Sequence, residues 1–206
     1  MENSRKVKAG RATHTACVRL VSSQKKGRPI KALLISEGGM ATSQLNIEKL
    51  KYAIKYGADA VYLGVVDFSL RAMRKGELIT LENLKYAIDT ARELGAKAYL
   101  TLNIFGFNND IKALEGCMDR IVDSNPDALI ISDPGIMRLA KKYMPDTDIH
   151  VSTQANILNY EAVRFWQDMG ATRAILAREL PIKDVAEIKN KVPDMELECF
   201  IHGAQC

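Results

Sequence analysis

Short apolar runs alternate with amphipathic stretches from about residue 31 to the end of the chain. Ala32-Leu33-Leu34-Ile35 has the length and character of a buried strand. Asn46 is placed to cap a helix over 47–56, whose Ile47, Leu50, Ala53 and Ile54 share one face, and Gly57 ends it. The run 59–64 reads as the next strand. The unit then repeats. Helices are expected over 81–94 (capped by Thr80), 111–124, 135–143, 159–169 and 181–191, with Pro181 near the first turn of the last. Strands are expected over 97–104, 127–132, 149–154, 173–177 and 195–201. The last alternates strictly, with Leu197, Cys199 and Ile201 on one side and Glu196, Glu198, Phe200 and His202 on the other.

Seven such strands, each but the last followed by a helix, predict parallel βαβ units and an α/β fold. A doubly wound sheet competes with a (β/α) barrel. Ser36-Glu37-Gly38-Gly39-Met40 does not supply the glycine fingerprint of a dinucleotide-binding sheet. Polar residues at the predicted strand C-termini favour the barrel, because barrel proteins build their sites there. The expectation is therefore a TIM-like barrel with about seven βα strands, cut short at its C-terminus. An open barrel would expose the edges of its first and last strands, so self-association is expected.

Residues 1–30 lack this periodicity, apart from a short strand candidate at 16–21. The first 31 residues hold nine Lys/Arg and one acid, a charge of +8, while the remainder carries −4, together the formal +4. The expectation is a basic, disordered arm over 1–30 and a barrel domain over 31–206. Such an arm contacts phosphates by counterion release, or is a solvated leader. The chain is 47% hydrophobic and 26% charged, ordinary for a globular protein. No run of eighteen apolar residues and no secretory leader pattern is present, so a cytoplasmic protein is expected. Cys17, Cys117, Cys199 and Cys206 lack CxxC spacing, which argues for a reducing compartment.

The chemistry-bearing candidates lie at the strand ends. Asn103 either meets a ligand or ties down the following loop. Asp133, before Pro134-Gly135, either meets a ligand or caps the next helix. The amides of Gln154 and Asn156 read a ligand's polar edges or knit neighbouring strands. Arg178-Glu179 ends a buried strand, either as a carboxylate or phosphate fork or as a structural ion pair. Arg71, beyond the second strand, reaches toward the same anionic ligand. His202 is placed as a base, a ligand orienter or a loop histidine. Cys206 is placed as a reactive thiol or metal ligand. His150 begins its strand and reads as structural; Cys117 and Cys199 read as packing residues. No HExxH, GxSxG or P-loop pattern occurs.

Several segments taken together resemble the peptidase U32 family: Tyr56-Gly57-Ala58-Asp59-Ala60-Val61-Tyr62-Leu63-Gly64, Phe68-Ser69-Leu70-Arg71, Ser132-Asp133-Pro134-Gly135, Ser152-Thr153-Gln154-Ala155-Asn156, Leu176-Ala177-Arg178-Glu179-Leu180 and Phe200-Ile201-His202-Gly203-Ala204-Gln205-Cys206. Residues 192–196 and 165–170 resemble its tRNA-hydroxylating branch most. The resemblance implies a TIM-like barrel and hydroxylation of the tRNA wobble uridine to 5-hydroxyuridine, with prephenate as cosubstrate. It also implies a 4Fe-4S cluster held by four cysteines, of which Cys206 matches the first, the others standing further along in the family. The partners it implies are the tRNA anticodon loop and a small anionic metabolite, with no membrane. Two other readings follow: a peptidase, as the family is labelled, and an inactive truncated barrel that only binds a ligand or partner. The family's Pro-Ala-Gly after its first strand is replaced here by Ser36-Glu37-Gly38.

Overall fold

The computed structural model describes residues 17–22, 30–34, 47–65, 68–69 and 79–202, with side chains described between 47 and 200, Lys49 excepted. Its strands are β1 (Cys17–Ser22), β2 (Ile30–Leu34), β3 (Ala60–Gly64), β4 (Lys97–Leu102), β5 (Ala128–Ile131), β6 (Asp148–Val151), β7 (Arg173–Ile175) and β8 (Glu196–His202). Its helices are α1 (Ile47–Lys55), α2 (Leu84–Glu93), α3 (Asn108–Glu115), α4 (Met118–Ser124), α5 (Pro134–Tyr143), α6 (Tyr160–Asp168) and α7 (Ile182–Lys191). The α/β class expected from the sequence is observed.

Strands β3 to β8 form a curled parallel sheet of six, paired in chain order. β2 joins β3 in parallel through Ala32 and Ala60. β1 pairs antiparallel with both β2 and β8, and this closes the ring. The edges expected to stand open are thus paired, because a strand from the basic N-terminal segment supplies hydrogen-bonding partners to both. The short strand candidate at 16–21 corresponds to this β1.

Strand alternation divides the apolar residues between two cores. Val61, Leu63, Leu100, Leu102, Leu129, Ile131, Val151 and Leu197 face outward and pack with Leu84, Ile88, Met118, Ile121, Ile136 and Met137 of the helices. Ala60, Tyr62, Tyr99, Ala128, Ile130 and Ile175 form a second, smaller cluster inside the ring, with Phe200 against it.

Several boundaries depart from the sequence expectation. The helix expected over 111–124 is two helices. Gly116 weakens helix propensity there, and the Cys117 N–H donates to the Leu114 carbonyl at 3.1 Å, which closes α3 before α4 begins. Thr80 does not cap α2. Residues 81–83 form a turn, Asn83 takes the N-cap position, and its side chain accepts from the Thr80 N–H at 2.8 Å. β6 ends at Val151 instead of Gln154. The Ser152 N–H makes a bond to Ile131 O at 2.8 Å, and Thr153–Ala155 then turn into a 3-10 helix closed by Asn156 in the left-handed region, φ 53°.

Candidate functional site

The ring interior buries charged residues beside its apolar cluster. Arg173 at the start of β7 is only 3% exposed and Glu198 in the middle of β8 is fully buried. Arg173 Nε and Nη2 donate to Glu196 Oε2 at 2.9 and 2.6 Å, and Nη1 donates to Glu198 Oε2 at 3.4 Å. The Tyr62 hydroxyl donates to the other Glu198 oxygen. Register explains the pairing: Arg173 stands opposite Glu196, and Glu198 opposite Ile175, so one guanidinium spans two carboxylates two residues apart on the neighbouring strand. Burial alone would pull the Arg173 pKa down. The surrounding Tyr99, Glu198 and Glu196 outweigh it and push the value up, so the guanidinium stays charged. The Tyr99 ring completes the layer, edge-on to His150 at 4.7 Å and tilted against Tyr62 at 5.5 Å.

Above this layer, at the strand C-termini, lie most of the candidates read from the sequence. Asn103 is buried one residue past β4. Asp133 is the N-cap of α5; its Oδ1 accepts from the Ile136 N–H at 2.9 Å, so the capping reading describes what this oxygen does. Gln154 sits in the 3-10 turn, where its Oε1 accepts from the Ser152 hydroxyl. Asn156 closes that turn and is exposed. Arg178 follows β7 half-buried, with its guanidinium carbon 3.8 Å from the centre of the Phe200 ring on β8. Glu179 beside it is exposed. His202 is the last residue of β8. The His202 side chain, Arg71 and Cys206 lie outside the described residues.

The structure therefore brings Asn103, Asp133, Gln154, Arg178 and Phe200 to one end of five successive strands. It adds residues that the sequence reading passed over. Thr101 Oγ1 donates to Ser69 Oγ at 3.1 Å, and this seat requires Gly64: a Cβ there would stand 2.7 Å from Ser69 Oγ and 3.0 Å from Thr101 Oγ1. Ser132 is 2% exposed, and its hydroxyl has no hydrogen-bond partner among the described residues. A usable signal existed: Asn103, Ser132 and Ser152 share the parity of the interior residues Tyr99, Ile130 and His150 on their strands. The same parity rule would have found Arg173.

Among the described residues, no three His, Cys, Asp or Glu side chains stand together as a metal site. Cys117 is buried and donates to the Leu114 carbonyl at 3.2 Å. Burial, aided by the neighbouring Glu198 charge, pushes the Cys199 thiol above its ordinary value. Neither stands in a group of potential ligands among the described residues, so neither fits the four-thiolate ligation that an iron–sulfur cluster needs.

An α/β ring with its polar side chains gathered at the strand C-termini has the layout in which barrel proteins place ligand sites. The chain belongs to peptidase family U32, whose model matches residues 45–206. Over 161 residues it is 47% identical to tRNA hydroxylation protein P of Haemophilus influenzae, covering 78% of this chain and 35% of that protein. Over 161 residues it is 48% identical to tRNA hydroxylation protein P of Helicobacter pylori, covering 78% of this chain and 38% of that protein. The chain thus spans little more than a third of the length of these relatives. The solved structure of the U32 peptidase Mk0906 shares the fold, with a TM-score of 0.58 at 16% identity over 85% of this chain and 72% of that one. No helix among the described residues is long and apolar enough to cross a membrane.

Proposed function

We propose that this chain is the TIM-like barrel of a cytoplasmic tRNA-modifying protein that hydroxylates the wobble uridine to 5-hydroxyuridine. The observation that carries the reading is the identity of 47–48% to proteins named for tRNA hydroxylation. The strand-end geometry supports it. Arg178, stacked on Phe200, offers N–H edges to an anionic group, either a phosphate of the anticodon loop or the carboxylate of a small metabolite such as prephenate. The Ser132 hydroxyl offers a hydrogen bond to the polar edge of an extruded base, with Asn103 at the end of the neighbouring strand. A 4Fe-4S cluster belongs to this reading, with Cys206 as a ligand from this chain and neither Cys117 nor Cys199 among its ligands.

The test is nucleoside mass spectrometry of bulk tRNA from cells in which the gene for this chain is deleted. Loss of 5-hydroxyuridine is expected, and an unchanged level overturns the reading. Cleavage of gelatin by the purified chain, abolished in His202→Ala, would instead favour the peptidase that the family's label suggests.

A further inference from the structure

The loop after β4 presents two aromatic rings to solvent on a fixed backbone. Phe105 is 55% exposed and Phe107 is 82% exposed. Exposed phenylalanines on a loose loop would mean little. Three hydrogen bonds hold this loop at Phe107. The Phe107 N–H donates to the Asp110 carboxylate at 2.8 Å, and the Phe107 carbonyl accepts from the Asp110 and Ile111 N–H groups at 2.9 and 3.0 Å. Between the rings Gly106 lies against the core: a Cβ there would meet Ile111 Cδ1 at 3.3 Å and Ile136 Cδ1 at 3.6 Å. The backbone that carries the Phe107 ring is thus held at the same end of the barrel as Asn103 and Arg178.

We propose that Phe105 and Phe107 are a stacking platform for unpaired bases of single-stranded RNA, with the exposed amides of Asn108 and Asn109 reading base edges beside them. This rests on the RNA-directed function above and names the surface that would hold the RNA outside the strand-end site. The surroundings favour RNA over an apolar protein partner. Gly106 separates the rings and the exposed Asn108 and Asn109 follow at once, so the segment offers flat faces with amide neighbours. The Asp110 carboxylate keeps its charge but is drawn onto the Phe107 N–H, and Lys112 stands exposed one turn further on as a cation for the phosphates. A capped backbone spares the loop its own ordering cost when a base stacks, which is the physical advantage of holding the segment in place.

The test is fluorescence anisotropy of a fluorescein-labelled ten-nucleotide oligouridine with the purified 206-residue chain. Phe107→Ala is expected to weaken binding by about five- to 150-fold, the range for losing one base–aromatic stack. Phe107→Trp should bind within about two-fold of the parent, because any π-face serves. Thermal melting of both variants should match the parent, since the ring touches solvent. Parent-like binding by Phe105→Ala and Phe107→Ala overturns the proposal, as does absence of binding by the parent. If Phe107→Ala instead abolishes self-association in sedimentation and leaves RNA binding intact, the rings are a protein contact and the proposal also falls. Parent-like variants alongside loss of 5-hydroxyuridine on gene deletion sink this inference alone. Ring-dependent binding with unchanged 5-hydroxyuridine sinks the function and leaves the platform.

Discussion

The Tyr62 hydroxyl donates to the Glu198 carboxylate across the interior of the ring, joining β3 to β8. β1 and β2 fill the wall between these strands, β2 running parallel to β3. The hydrogen bond therefore ties β3 to β8 through the lumen, independently of the ladder that closes the wall. Glu198 is held from its other side by Arg173, which also grips Glu196.

Removing either tie should cost stability in unequal amounts. Tyr62→Phe leaves a buried carboxylate oxygen without its donor and should lower unfolding free energy by about 1–3 kcal/mol. Arg173→Met leaves two carboxylates without their shared guanidinium and should cost about 3–5 kcal/mol. Urea denaturation followed by circular dichroism measures both. A Tyr62→Phe midpoint equal to the parent's would show that the cross-lumen bond contributes nothing.

Tyr99 should make the ring sensitive to alkali. Burial pushes its phenol above the ordinary value of 10.0, while the Arg173 guanidinium works against the rise. A group whose pKa is higher folded than unfolded contributes stability that is complete below the unfolded value and lost as pH rises through the folded one. The melting temperature should therefore fall from about pH 10 upward, and Tyr99→Phe should fall less steeply over that interval. Melting curves of parent and variant at pH 8 and pH 11 test this; parallel declines would exclude Tyr99 as a contributor.

Asp133 separates a capping role from a ligand role. Asp133→Ala deprives the Ile136 N–H of its acceptor and should cost about 1 kcal/mol. Asp133→Asn keeps an amide oxygen in the same place and should retain most of that stability. Chemical denaturation of the two variants decides the matter, and an Asn variant as unstable as the Ala variant contradicts the capping account.

The helices α2, α5, α6 and α7 were legible because each buries one stripe against the sheet, and that stripe repeats with the helical period. The split at Gly116 was less legible, since a single glycine inside a helical pattern is often tolerated. At the site, Arg178 and Asn103 stood out as polar residues ending apolar strands. Arg173 did not, because an arginine at a strand start reads as a surface residue until the ring closes around it. Phe200 read only as one face of an alternating strand; its part in the site depends on Arg178 arriving from β7.

Periodicity along the chain determined that strands and helices alternate, which residues line each face, and that the polar groups gather at the strand C-termini. These follow from local geometry, in which a residue's face is set by its place in a period of two or 3.6. Only the tertiary structure decided that β1 bridges β2 and β8 in antiparallel, and that Tyr62 reaches Glu198 from a strand 136 positions away in the chain. Neither can be read from local pattern, because a strand's partner and a buried charge's counter-ion are chosen by the curvature of the whole sheet.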